Sequence, residues 1–176
     1  MDKHPTKRLR RPYARIERER RFLVERLPDV VDPDDYQRLD DLFVTGTHLR
    51  LRQVSRPDGT WIITKLGQKI ADPDAGDDPR CRQTTTIYLP QDEAAALGSL
   101  GGLRTTKRRY KLKEQGWTFC IDAWESPASA QGALLAEVEA PSIAELEQIV
   151  VPPWALREVT DDARYTAISL AQRPPT

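Results

Sequence analysis

The chain is poor in the residues that build zinc and imidazole chemistry. It has two histidines, His4 and His48, and two cysteines, Cys81 and Cys120. No CxxC spacing and no neighbouring histidine accompany either thiol, which excludes the common zinc motifs and leaves a His-based catalytic site little to work with. Net charge is missing as well: 27 basic residues cancel 27 acidic ones. That balance gives no long-range pull toward nucleic acid or an anionic membrane. No apolar run approaches the length of a membrane span, and the first residues show no signal-peptide pattern. Internal repeats and low-complexity tracts are absent. The expectation is a cytoplasmic protein with two reduced thiols and no nucleic-acid or membrane partner.

What the chain has in abundance is charge of both signs. Charged residues make up 31% of its 176 positions, against 39% apolar, where about a quarter is usual. The length suits one domain. Residues 1–13, with Lys3, Lys7, Arg8, Arg10 and Arg11, read as a disordered basic tail, and residues 14–176 as the domain. Alternation predicts strands over 15–24, 36–45, 48–55, 60–66, 82–89, 103–113, 117–124 and 134–140. Arg56-Pro57-Asp58-Gly59 is a turn signal between two of them. The acidic stretch 70–79 lacks the closing glutamate of a calcium-binding EF-hand loop and reads as a solvated connection. Short helices are expected after Pro90, after Ser142, where Glu145 completes a capping box, and in the segment 152–170. The fold class is β-rich α+β: an eight-stranded antiparallel closed barrel with a few flanking helices. A barrel of about that size encloses one small ligand.

Side chains alternate faces along a strand. Glu17, Glu19 and Arg21 therefore share one face. Arg50 and Arg52 oppose Leu49 and Leu51, Asp122 opposes Phe119 and Ile121, and Glu137 and Glu139 oppose Leu134, Ala136 and Val138. Lys107 and Arg109 share a face, and Lys65 lies on a strand of mixed pattern. Two arrangements fit. Either the charged faces meet water, as in an ordinary barrel, or the apolar faces point outward under the helices and the charges line the interior. The same mixed-sign pairs recur on five strands, which favours the second. An empty charged interior is costly, because each unpaired buried charge carries a penalty of several kcal/mol. Arginine forks suit phosphate oxygens, and clustered carboxylates suit hard cations such as Mg²⁺ or Mn²⁺. A metal–polyphosphate complex satisfies both sets at once.

These residues resemble the CYTH, or triphosphate tunnel metalloenzyme, superfamily. Glu17-Arg-Glu-Arg-Arg21 is similar to its Glu-x-Glu-x-Lys signature. The likeness continues in order through Arg50-Leu51-Arg52, Lys65, Lys107-Arg-Arg109, Asp122, Glu137-Val-Glu139 and Glu158-Val-Thr160. The resemblance implies a triphosphate tunnel and metal-dependent chemistry on a bound triphosphate, inorganic or nucleoside. It implies catalytic roles for Glu17, Glu19 and Arg21, and phosphate-gripping roles for Arg50, Arg52, Lys65, Lys107 and Arg109. Glu17, Glu19, Glu137 and Glu139 are the implied ligands of Mg²⁺ or Mn²⁺. Two departures stand out. Arg21 replaces the signature lysine and cannot readily lose its proton. Thr84 and Thr86 stand where many relatives carry a second Glu-x-Glu pair. His48 is expected in the barrel wall. Three activities stay open: triphosphate hydrolysis, cyclisation of ATP as in class IV adenylyl cyclases, and binding without turnover. A monomer or a homodimer is expected.

Overall fold

The structure is a computed structural model that describes residues 12–172. All of the tail expected over residues 1–13 except Pro12 and Tyr13 lies outside the described residues. The strands are β1 (Arg15–Val24), β2 (Gln37–Val44), β3 (Leu49–Ser55), β4 (Trp61–Ala71), β5 (Cys81–Leu89), β6 (Gly102–Glu114), β7 (Trp117–Ser126), β8 (Leu134–Glu139) and β9 (Ala155–Glu158). The helices are α1 (Gln91–Gly98), α2 (Ile143–Gln148) and α3 (Ala167–Ala171). The order across the sheet is β5-β4-β3-β2-β6-β7-β8-β1-β9, and β1 also pairs with β5. That pairing closes the first eight strands into an antiparallel barrel with no free edge among them.

The closing strand β1 is shared. Arg15–Arg18 pair with β5, Glu19–Val24 with β8 on the other side, and Phe22–Val24 with β9. The ninth strand takes up the side of β1 that β5 leaves, and it was not expected from the sequence. The β6–β7 hairpin turns on Gln115 and Gly116, whose φ angles are 54° and 79°. Two consecutive positive φ values match the twist of a two-residue hairpin, and glycine adopts the second without strain.

The apolar faces point outward, as face alternation suggested. Phe22, Tyr110, Phe119, Ile121, Ala136 and Val138 form one buried cluster with Leu146 of α2 and Ile149. Helix α2 starts where expected: the Ser142 hydroxyl accepts from the Glu145 amide at 3.2 Å and donates to its carboxylate at 2.6 Å. A second cluster sets Leu42, Leu51 and Leu89 against Ala94 and Leu97 of α1. A third, Trp124, Leu135, Val159 and Leu170 with Leu23, belongs to the inner face. Here α3 and the segment before it stopper one end of the barrel.

Gly102 opens β6 against β2. A Cβ at this position runs into the Phe43 carbonyl oxygen and sits 2.9 Å from Leu42 Cδ1. Backbone on a paired strand yields less readily than a side-chain tip. Gly102→Ala is expected to lower stability by about 1–3 kcal/mol, read from urea unfolding. An unchanged midpoint means this end of β6 is free to shift.

Candidate functional site

The barrel interior has two charged layers and a pair of cations without carboxylate partners. In the deep layer, Asp122 of β7 is 3% exposed and Lys107 of β6 is 2% exposed. The Lys107 ammonium meets Asp122 Oδ2 at 2.5 Å, while Arg109 forks onto both oxygens of the same carboxylate at 2.6 and 2.7 Å. Arg109 also reaches Glu137 at 3.2 Å. Arg52 forks onto buried Asp41 of β2 at 2.6 and 2.7 Å. Burial alone raises a carboxyl pKa, but the surrounding cations win. Asp122, facing Arg109 and Lys107, and Asp41, facing Arg52 and Arg50, both stay far below the usual carboxylate range. For Lys107, burial outweighs Asp122 and pushes the ammonium pKa down. Its Nζ also stands 5.0 Å over the Trp124 ring, against the stopper.

The second layer is acidic and lies toward the open end. Carboxylate oxygens of Glu17, Glu19 and Glu139 all lie within 4.8 Å of one another. The cause is register: β1 and β8 set Glu19 directly opposite Glu139, and Glu17 follows two residues before Glu19 on the same face. Glu139 is raised, first by burial and then by its like-charged neighbours Glu17 and Glu19. Glu17 is lowered: burial pushes it up, but Lys69, Arg15 and their hydrogen bonds outweigh that. The Lys69 ammonium of β4 lies 2.6 Å from Glu19 and 3.2 Å from Glu17.

Strands β3 and β4 also present Arg50 and Lys65, with Lys65 directly opposite Arg52 in the β3–β4 ladder. Among the described residues, neither has a carboxylate within ion-pair distance. Arg50 is lowered by burial and then by Arg52. Lys65 is lowered by burial and then by Arg52, Arg109 and Arg50. Cations that depress one another in this way make a cradle for an anion.

The structure thus brings Glu17, Glu19 and Glu139 together at one point. Glu137 lies outside that cluster, with its carboxylate on Arg109. Arg50, Arg52, Lys65, Lys107 and Arg109 all line the interior, three of them already paired. Arg21 faces the stoppered end. Its guanidinium donates to the carbonyl oxygens of Thr160 at 2.6 Å and Tyr165 at 3.3 Å, so it ties down the C-terminal segment. Thr84 and Thr86 share the inner face of β5 with Tyr88, which faces Lys65, and the Thr84 hydroxyl is buried without a hydrogen-bond partner among the described residues. His48 is not in the wall. It is exposed in the β2–β3 turn, because β3 begins only at Leu49. Sequence reading missed Lys69 and Asp41. Lys69 lies four residues beyond Lys65 on the same face, and a β4 read to its full length exposes it.

A closed antiparallel barrel with apolar faces outside and paired acids and bases within is the triphosphate tunnel architecture. The barrel is the fold that the sequence's resemblance to the CYTH, or triphosphate tunnel metalloenzyme, superfamily implied. Among solved structures it is similar to the inorganic triphosphatase NE1496, with a TM-score of 0.55 and 27% identity over 91% of this chain and 100% of that one. A second structure of NE1496, described as a hypothetical protein, gives a TM-score of 0.54 and 28% identity, covering 90% and 99%. A proposed adenylate cyclase from Bacillus halodurans shares the fold at a TM-score of 0.50 and 15% identity, covering 77% of this chain and 86% of that one. No family model and no curated protein matches the sequence.

Proposed function

We propose that the barrel binds a triphosphate, inorganic or nucleoside, and hydrolyses it with Mg²⁺ or Mn²⁺. One observation carries this reading: a three-carboxylate cluster lies in the same interior as two cations, Arg50 and Lys65, that lack carboxylate partners. The donor set fits a hard divalent cation, being all carboxylate oxygen and mutually repelling when empty. Glu17, Glu19 and Glu139 would hold it. When bound, such an ion stabilises charge on the phosphoryl oxygens and lowers the pKa of a bound water.

The protein's own part is grip and orientation. Arg50 and Lys65 lie ready for phosphate oxygens, Arg50 as a fork and Lys65 as a point charge. Arg52, Lys107 and Arg109 are held rigid by Asp41 and Asp122, so their positive field is fixed before an anion arrives. Preorganised charge of this kind is the main lever in phosphoryl transfer. The stopper of Trp124, Leu135 and Leu170 closes the far end, so substrate enters and leaves past Glu139.

Purified protein with Mg²⁺ or Mn²⁺ is expected to release orthophosphate from tripolyphosphate or ATP, and to stop on addition of EDTA. Cyclic AMP with pyrophosphate instead of orthophosphate identifies a cyclase. No release from any triphosphate with either metal contradicts hydrolysis. A second reading, binding without turnover, is favoured by one feature: Thr84 and Thr86 leave the inner face of β5 without a carboxylate. Calorimetry beside the release assay separates the two, since a binding module gives heat of binding and no phosphate.

A further inference from the structure

Lys69 occupies the position where the acidic cluster needs a cation. Its ammonium lies 2.6 Å from Glu19 Oε2 and 3.2 Å from Glu17 Oε2. Its side chain is 35% exposed, against 8% for Glu19, so the ammonium has room to turn toward solvent. Across the β4–β5 ladder it faces Thr84, a neutral residue. The ion-pair partners that the described residues provide for Lys69 are therefore Glu17 and Glu19.

We infer that Lys69 is a resident counter-cation which a divalent metal must displace, so that the protein suppresses metal binding at its own site. This rests on the metal-binding reading of Glu17, Glu19 and Glu139 given above. Glu19 Oε2 is held at charge-assisted hydrogen-bond distance by the ammonium. A metal taking that oxygen breaks the bond and turns Lys69 away. The exchange lowers metal affinity by the strength of the lost contact. Lys69 also shares the compensation of the cluster with Arg15, which reaches Glu17 Oε1 at 2.7 Å, and it is the partner within ion-pair distance of Glu19. On displacement, Lys69 joins Lys65 on the same face of β4 as a further unpaired cation, so the exchange adds to the positive field in the interior.

The test is titration with Mn²⁺ alone, with no phosphate present, followed by calorimetry. Lys69→Met is expected to bind Mn²⁺ at least about tenfold more tightly than the wild type, tenfold being the equivalent of a contact of about 1.4 kcal/mol. Lys69→Arg keeps a competing cation and is expected to stay within about threefold of wild type. Lys65→Met removes a charge of the same strand and face that touches no carboxylate, and is expected to tighten binding far less than Lys69→Met. A second readout is thermal unfolding: Lys69→Met is expected to melt lower than wild type without metal and to gain more from Mn²⁺. If the wild type binds Mn²⁺ and Lys69→Met binds no more tightly, the inference is overturned. It is equally overturned if Lys69→Met and Lys65→Met tighten alike, since long-range charge then explains both. If neither the wild type nor any variant binds Mn²⁺, the metal-dependent reading fails, and the inference with it.

Discussion

Glu19→Gln is expected to lower kcat/KM for triphosphate hydrolysis at least about a hundredfold, equivalent to about 2.7 kcal/mol of transition-state stabilisation. Glu19 is the centre of the acidic cluster. It stands opposite Glu139 in the β1–β8 ladder, two residues from Glu17 on its own strand, and is only 6% exposed. Glutamine has nearly the same shape, so the strand and its packing stay intact. What disappears is one of three negative charges at the only point among the described residues where three such ligand groups converge. A hard cation held by carboxylates loses affinity steeply with ligand charge. Raising Mn²⁺ is therefore expected to restore part of the rate. Phosphate release across a metal titration measures both effects, with thermal unfolding as the check that the fold survives. A variant with wild-type rate at low metal means that the cluster is not where the chemistry is supported.

Asp122→Ala is expected to destabilise the fold by about 3–5 kcal/mol. The carboxylate compensates two cations at once, Lys107 at 2.5 Å and Arg109 at 2.6 and 2.7 Å, inside the barrel wall. Removing it leaves Lys107, 2% exposed, with no acid in contact, and Arg109 with Glu137 alone. Asp122→Asn keeps an accepting oxygen and is expected to cost less. The same carboxylate governs acid behaviour. Its folded pKa lies below the unfolded value of about 3.9, so its stabilisation is fully present above that value. The contribution is lost as pH falls below about 4 toward the folded pKa. Asp41, fixed by Arg52, acts in the same direction. Wild-type stability is expected to hold from neutral pH to about pH 5 and to fall below pH 4, with a shallower acid slope in Asp122→Ala. Urea unfolding at pH 7 and pH 3 reads both. A slope unchanged by the substitution contradicts the pairing.

Much of the barrel is legible in the sequence because face alternation is a local signal. Glu17 and Glu19 against Ile16 and Arg18, or Glu137 and Glu139 against Ala136 and Val138, reveal their faces without knowledge of any partner strand. The inward turn of the charged faces also follows, from the same pattern recurring on five strands. Pairings across strands do not follow. Asp40 and Asp41 are adjacent acids, and only the register that sets Asp41 opposite Arg52 makes one buried and the other a surface partner of Thr106. Arg21 looks like a tunnel cation from its position, yet its guanidinium is captured by carbonyls some 140 residues away in the C-terminal segment. Strand β9 is four residues long behind Pro152-Pro153, too short for alternation to show. Lys69 was hidden for a related reason: β4 runs to Ala71, five residues past the clear part of its pattern. In each case a long-range contact decides a role that local sequence leaves open.

The most direct test of the central claim is a crystal structure grown with Mn²⁺ and tripolyphosphate, with anomalous data collected at the manganese edge. The expected result is an anomalous peak bonded to Glu17, Glu19 and Glu139, with Lys69 turned away and phosphate oxygens on Arg50 and Lys65. A peak elsewhere, or a triphosphate bound outside the barrel, contradicts it.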